Sequence, residues 1–171
     1  MRTGKNRSNL IYICQAGLIA ALYTVLTVAI GAVGLANGAI QLRISEALCV
    51  LPFFTPAAIP GLTLGCLISN LWTGCIWQDV VFGSLATLLG AIGARALRRW
   101  SWSVPLPTVL ANLFIVPPVL AYGYHAQGGI PFLMLTVGIG EILSAYVMGM
   151  ILFGWLRKHG NGIFRSRYRG E

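Results

Sequence analysis

Residues 10–33 read LIYICQAGLIAALYTVLTVAIGAV, a run without one charged side chain. A strand of a membrane barrel alternates apolar and polar positions over about ten residues, and this run does not alternate. It is instead long enough for a membrane-crossing helix, which needs about 20 apolar residues. Arg2, Lys5 and Arg7 precede it as they would precede a secretory signal, but the run exceeds the apolar core of about 7–15 residues that such signals carry. It therefore reads as a first span.

The same texture continues outward from that run. Of 171 residues, 57% are apolar and 9% charged, with 21 glycines besides, against roughly a quarter charged in a soluble domain. Further spans are expected over residues 80–97, 107–122 and 131–156. Residues 42–72 divide into two shorter ones, because Pro52, Pro56 and Pro60 interrupt them and Pro56 to Gly61 has the composition of a turn. No stretch is left for a separate soluble domain. The expectation is one all-α integral membrane domain over residues 1–171, with basic tails at 1–9 and 157–171.

Twelve Lys and Arg against four Asp and Glu give a net charge of +8. The basic residues lie in three clusters: Arg2, Lys5 and Arg7; Arg95, Arg98 and Arg99; and Arg157, Lys158, Arg165, Arg167 and Arg169, with Arg43 apart from them. Basic residues near span ends stay in the cytoplasm. Six spans with the N-terminus inside put all three clusters there, whereas five would send some outward. A six-transmembrane-helix bundle with cytoplasmic N- and C-termini is thus expected, in a bacterial plasma membrane. Orienting the spans in the lipid bilayer is sufficient reason for the basic ends, and the interleaved aromatic and basic patch of a nucleic-acid site is missing.

That topology sets Glu46 and Asp79 at the outer ends of the second and fourth spans and Glu141 ten residues into the sixth. Ionisable groups inside a membrane are costly and mark pathways or binding sites. Asp79 is also suited to stabilise a helix N-terminus, and Glu46 stands three residues from Arg43, a helical pairing distance. Asn70, Trp72, Trp77, Gln78, Asn112, Tyr122, Tyr124 and His125 surround these acids. An interfacial aromatic belt explains any single Trp or Tyr; together they describe an outward-facing, acidic, aromatic-lined pocket for a flat polar ligand. On the cytoplasmic half of the first span, Ala16 and Ala20 are small residues four apart. That spacing lets another helix approach closely, either within the chain or from a partner.

Several chemistries are excluded. There is no G-x-x-x-x-G-K-[ST] phosphate loop, no G-x-S-x-G elbow and no H-E-x-x-H pair, so no enzymatic role is expected. Cys14, Cys49, Cys66 and Cys75 form no C-x-x-C pair, and His125 and His159 are isolated, so no metal is expected. An uptake protein energised by a partner fits these absences. A stand-alone secondary transporter or channel for a small polar solute, using Glu141 as a proton or cation site, is the alternative.

The stretch Gln41-Leu42-Arg43-Ile44-Ser45-Glu46-Ala47-Leu48, followed by Leu51-Pro52-Phe53 and by Asp79 to Leu88, resembles the QueT family. These proteins are substrate-binding S components of energy-coupling factor (ECF) transporters for queuosine precursors. The resemblance implies a 7-deazaguanine ligand (preQ0, preQ1 or queuine) and no cofactor in the chain itself. It also implies docking to one transmembrane coupling protein and two ATPases, which hydrolyse the ATP. In that family an Ala-x-x-x-Ala signature on the first helix contacts the coupling protein, and Ala16 and Ala20 match it. For the ligand, Glu141 or Asp79 would take the guanine edge and Asn70, Asn112 or Arg43 the carbonyl. Trp72 or Trp77 would stack, Glu46 is a further candidate at the site, and a second carboxylate would suit the aminomethyl cation of preQ1 or the secondary amine of queuine.

Overall fold

The computed structural model describes residues 2–32 and 43–159. Gln41 and Leu42 of the quoted stretch, and the basic residues beyond His159, lie outside the described residues. Among the described residues six helical elements follow one another: α1 (Arg2–Ala32), α2 (Ile44–Phe54), α3 (Ala58–Trp72), α4 (Trp77–Ala96), α5 (Ser101–Gly123) and α6 (Ile130–His159). The first of them starts at Arg2, so the basic residues before the apolar run stand on its opening turns.

The structure departs from the expected six-span bundle. Among the described residues four helices are long and apolar enough to cross a membrane, those within Ser8–Ala32, Trp77–Ala96, Ser101–Gly123 and Ile130–His159. The two between the first and second of these are not. α2 is seven 3₁₀ residues followed by four α-helical ones, and α3 has 15 residues, which cover about 22 Å at about 1.5 Å each of a core about 30 Å thick. Proline chemistry sets the break. Pro56 disfavours helical geometry at the residue before it, and Thr55 is extended at φ −142°, ψ 134°. Pro60 falls in the first turn of α3, where a missing N–H is harmless. Thus α2 and α3 form a short hairpin packed among four long helices.

The hairpin's closed end lies at one end of the bundle with all the long helices' basic termini. There Thr55 donates to Gln15 of α1 (3.1 Å), and Arg95 near the end of α4 donates to the carbonyls of Pro52 (3.0 Å) and Phe53 (3.2 Å). Phe53 packs edge-on and Phe54 at a tilt against Phe153 of α6 there. The N-terminus of α1 and the C-terminus of α6 share this basic end. The opposite end carries Arg43, Asp79 and Tyr124 and is the polar end.

α1 meets the bundle along one stripe, Ala16, Ile19, Ala20 and Tyr23, packed on α3, while Leu10, Ile13, Leu18 and Val25 point outward. The close approach depends on glycine in α3. A Cβ on Gly61 would stand 2.8 Å from the Ala16 carbonyl oxygen, and one on Gly65 would stand 2.7 Å from the Tyr23 Cβ. Small residues bring membrane helices this near when apolar lipid offers no hydrophobic drive to association.

Candidate functional site

A cavity of about 740 Å³ opens at the polar end, lined among others by Thr27, Arg43, Asn70, Cys75, Asp79 and Tyr124. Asp79 is in the first turn of α4, where unpaired backbone N–H groups favour a negative charge. Its Oδ2 accepts a hydrogen bond from the Tyr124 hydroxyl (3.1 Å) and lies 4.0 Å from Nη2 of Arg43. Tyr124 in turn accepts from the backbone N–H of Ile76 (3.3 Å), which ties the loop after α5 to the start of α4. Asn70, near the end of α3, donates to the Asp79 carbonyl (3.3 Å). Gly83 makes room for that amide, since a Cβ there would come 3.1 Å from Asn70 Nδ2.

The electrostatics of this wall follow from its packing. Burial pulls the Arg43 guanidinium toward deprotonation, but the attraction of Asp79, and then of its other neighbours, outweighs this and holds its pKa above the ordinary value. Burial, and next the Asp79 charge, push the Tyr124 phenol up, so it stays protonated and able to donate.

Arg43 joins the cavity to a second set of polar groups deeper in the bundle. Its backbone N–H donates to Ser144 Oγ (3.1 Å), inside the π-helical turns Ile142–Met148 of α6. Its charge also acts on Glu46 and Glu141. Glu46 is fully buried and accepts a hydrogen bond from the Tyr23 hydroxyl. Glu141 ends the α-helical part of α6 just before the π turns, and its side chain neighbours Asn112 of α5. The π geometry widens α6 at this point, a distortion found often at functional sites. α5 distorts likewise: Pro117 and Pro118 lack the N–H that an α-helix needs, and it continues as π turns over Val119–Gly123.

Of the candidates read from the sequence, Arg43, Asn70 and Asp79 line the cavity, and Glu46, Asn112 and Glu141 are buried together beneath it. Trp72 and Trp77 stand apart at 76% and 68% exposure, on the rim at the ends of α3 and α4. Ala16 and Ala20 are buried facing α3, at 8% and 7% exposure. Thr27, Tyr23 and Thr108 carry no sequence signal of their own. They are ordinary residues of apolar helices, and only the fold brings them to the polar groups. Among the described residues no group of three or more His, Cys, Asp or Glu could hold a metal ion.

A family profile described as QueT transporter matches residues 13–158. The curated protein "Queuosine precursor transporter QueT" of Lactococcus lactis subsp. cremoris (strain MG1363) is 39% identical over 153 residues, covering 82% of this chain and 89% of that relative. No solved structure matches the chain. With four apolar helices among the described residues able to cross a bilayer and a profile that runs through all of them, the chain is a multi-pass protein of the bacterial plasma membrane rather than an enzyme, and it belongs to the QueT transporter family.

Proposed function

We propose that the chain is the substrate-binding subunit of an energy-coupling factor importer, taking a queuosine precursor of the 7-deazaguanine class from the polar-end cavity. The substrate class rests on the name of the Lactococcus relative. The direction rests on one observation: the cavity lies at the end of the bundle opposite the basic helix termini. Basic termini stay cytoplasmic, so the cavity opens outward, where an importer collects its ligand.

The polar groups suit such a base. A carboxylate accepts the paired N–H donors of a guanine edge, an amide or guanidinium donates to its carbonyl, and an aromatic ring stacks on its plane. Asp79, Glu141 and Glu46 are the carboxylates, Asn70, Asn112 and Arg43 the donors, and Tyr124 is the aromatic residue on the cavity wall. The chain has no phosphate-binding loop, so a partner module of a coupling protein and two ATPases supplies the energy. With Ala16 and Ala20 turned toward α3, that module docks on the outward flank of α1, where Gly17 and Ala21 are exposed and no atom stands within 4 Å of a Cβ on Gly17.

Uptake of labelled preQ1 and queuine into proteoliposomes tests this reading. Transport should require the ATPase module and ATP, and Gly17→Trp and Ala21→Trp should abolish co-purification with the module while sparing ligand binding. The buried Glu141 keeps one other reading in view, an ion-coupled transporter that works alone. Uptake by this chain without ATPases, driven by an ion gradient, would establish that reading instead.

A further inference from the structure

Thr108 and Asn112 stand four residues apart on α5, one helical turn, and Glu141 neighbours Asn112 from α6. All three side chains are more than nine-tenths buried. Thr108 Oγ1, Asn112 Nδ2 and Glu141 Oε2 have no hydrogen-bond partner among the described residues. Native interiors rarely leave even one buried polar group unmatched; here Asn112 and Glu141 meet across α5 and α6, and Thr108 stands one turn along α5 with its hydroxyl beside Gly90 of α4.

The other polar candidates are already engaged. Asp79 holds Tyr124 and faces Arg43, Asn70 donates to the Asp79 carbonyl, and Glu46 accepts from Tyr23. The unmatched capacity is therefore concentrated on one inner cluster. It comprises an acceptor that carries charge when ionised, an amide donor, and a hydroxyl that can do either.

We propose that Thr108, Asn112 and Glu141 form an inner subsite that reads the lactam edge of the ligand, deeper than the open cavity and reached past Arg43. This rests on the queuosine-precursor reading above and assigns the recognition within it. A lactam edge of the guanine type presents a ring N–H and an exocyclic amine beside a carbonyl oxygen. The Glu141 carboxylate accepts from the two N–H donors, and Asn112 Nδ2 donates to the carbonyl. The Thr108 hydroxyl, one turn below Asn112, holds the amide or the carbonyl in line. Arg43 borders the cavity and acts electrostatically on both Asp79 and Glu141, so it stands where the outer and inner compartments meet. A 6-amino ring reverses the pattern, placing a donor against Asn112 and an acceptor against Glu141. Sites built to hydrogen-bond their ligand reject such mismatches strongly because their own buried groups are left unpaired.

The test is competition binding of 7-deazaguanine and 7-deazaadenine to the full chain purified in detergent. Wild type should favour 7-deazaguanine by at least about 100-fold, within the discrimination open to a hydrogen-bonding site. Glu141→Gln and Asn112→Leu should collapse that ratio to below about tenfold, and the near-isosteric Thr108→Val should lower it about three- to tenfold, the loss of one hydrogen bond. Asp79→Asn, at the outer wall, should weaken both bases alike and leave the ratio. If 7-deazaguanine binds but Thr108→Val and Glu141→Gln, each folded with wild-type melting behaviour, keep the wild-type ratio, the inner subsite is wrong and the wider reading stands. If neither base binds to wild type, both fall together.

Discussion

Replacing Gly65 by alanine adds a single methyl group at the tightest point of the α1–α3 contact. A Cβ there would lie 2.7 Å from the Tyr23 Cβ and 2.9 Å from the Ala20 carbonyl oxygen, against about 3.5–4.0 Å for carbon atoms at their preferred separation. The nearest obstacles are backbone and Cβ atoms, which no side-chain rotation can move away, so the two helices must part by roughly 1 Å. Overpacking of this kind costs about 1–3 kcal/mol. At about 2–4 °C per kcal/mol for a domain of this size, the apparent Tm should fall by about 2–12 °C. Parting the helices also draws Tyr23 from Glu46. Gly17→Ala is the matched control on the same interface helix. Its Cβ would meet no atom within 4 Å, so the higher helix propensity of alanine, up to about 1 kcal/mol, leaves Tm unchanged or raised. Tryptophan-fluorescence melts of the detergent-purified variants read both. Equal melting of Gly65→Ala and wild type would refute the packing of α1 on α3.

Other substitutions probe the polar groups. Tyr23→Phe should destabilise the fold by about 1–3 kcal/mol, because it strips a hydrogen bond from a buried carboxylate; a Tyr23→Phe, Glu46→Gln double-mutant cycle should show coupling above about 0.5 kcal/mol, and strict additivity would dissolve the pair. Gly83→Ala crowds Asn70 Nδ2 at 3.1 Å and should weaken ligand binding several-fold with little loss of stability, whereas a large loss of stability with normal binding would show that the contact is merely structural. The Tyr124 phenol titrates above its usual 10.0 because of burial and then Asp79, so its contribution to stability is complete below about pH 10 and is lost only at higher pH. The difference in ultraviolet titration between wild type and Tyr124→Phe should therefore show one tyrosine ionising later than a free one, and ionisation at the ordinary value would contradict the Asp79 contact.

Much of this structure was legible in the sequence, and its one large error has an identifiable cause. The uncharged run at residues 10–33 points to a helical membrane protein, because only helices and closed barrels satisfy their backbone in lipid and the run does not alternate as a barrel strand does. Pro56 likewise announces the break between α2 and α3. The number of crossings was inferred from where basic clusters fall, and that reasoning sees only parity. Four crossings and six both return the clusters to the same side, so charge could not show that α2 and α3 are too short. Asp79, Asn70 and Arg43 were found as site candidates because a polar group in an apolar chain stands out. Trp72 and Trp77 stood out in the same way, yet their placement is decided by which way a helix end faces, and both face outward on the rim. Ala16 and Ala20 carry a spacing that fits any close helix, and only the glycines opposite them, Gly61 and Gly65, reveal α3 as a neighbour. Thr108 and Tyr23 were beyond reach, since a hydroxyl in an apolar helix acquires meaning only from what the fold sets beside it.

On the proposed function the polar-end site binds a queuosine precursor. Isothermal titration of the detergent-purified chain with preQ0, preQ1, queuine and guanine, with thiamine as a control, tests this. Tight one-to-one binding of at least one 7-deazaguanine, abolished jointly by Asp79→Asn and Glu141→Gln, is the predicted result. Heats no larger than those of thiamine for every deazapurine, or binding that the double variant leaves intact, would contradict it.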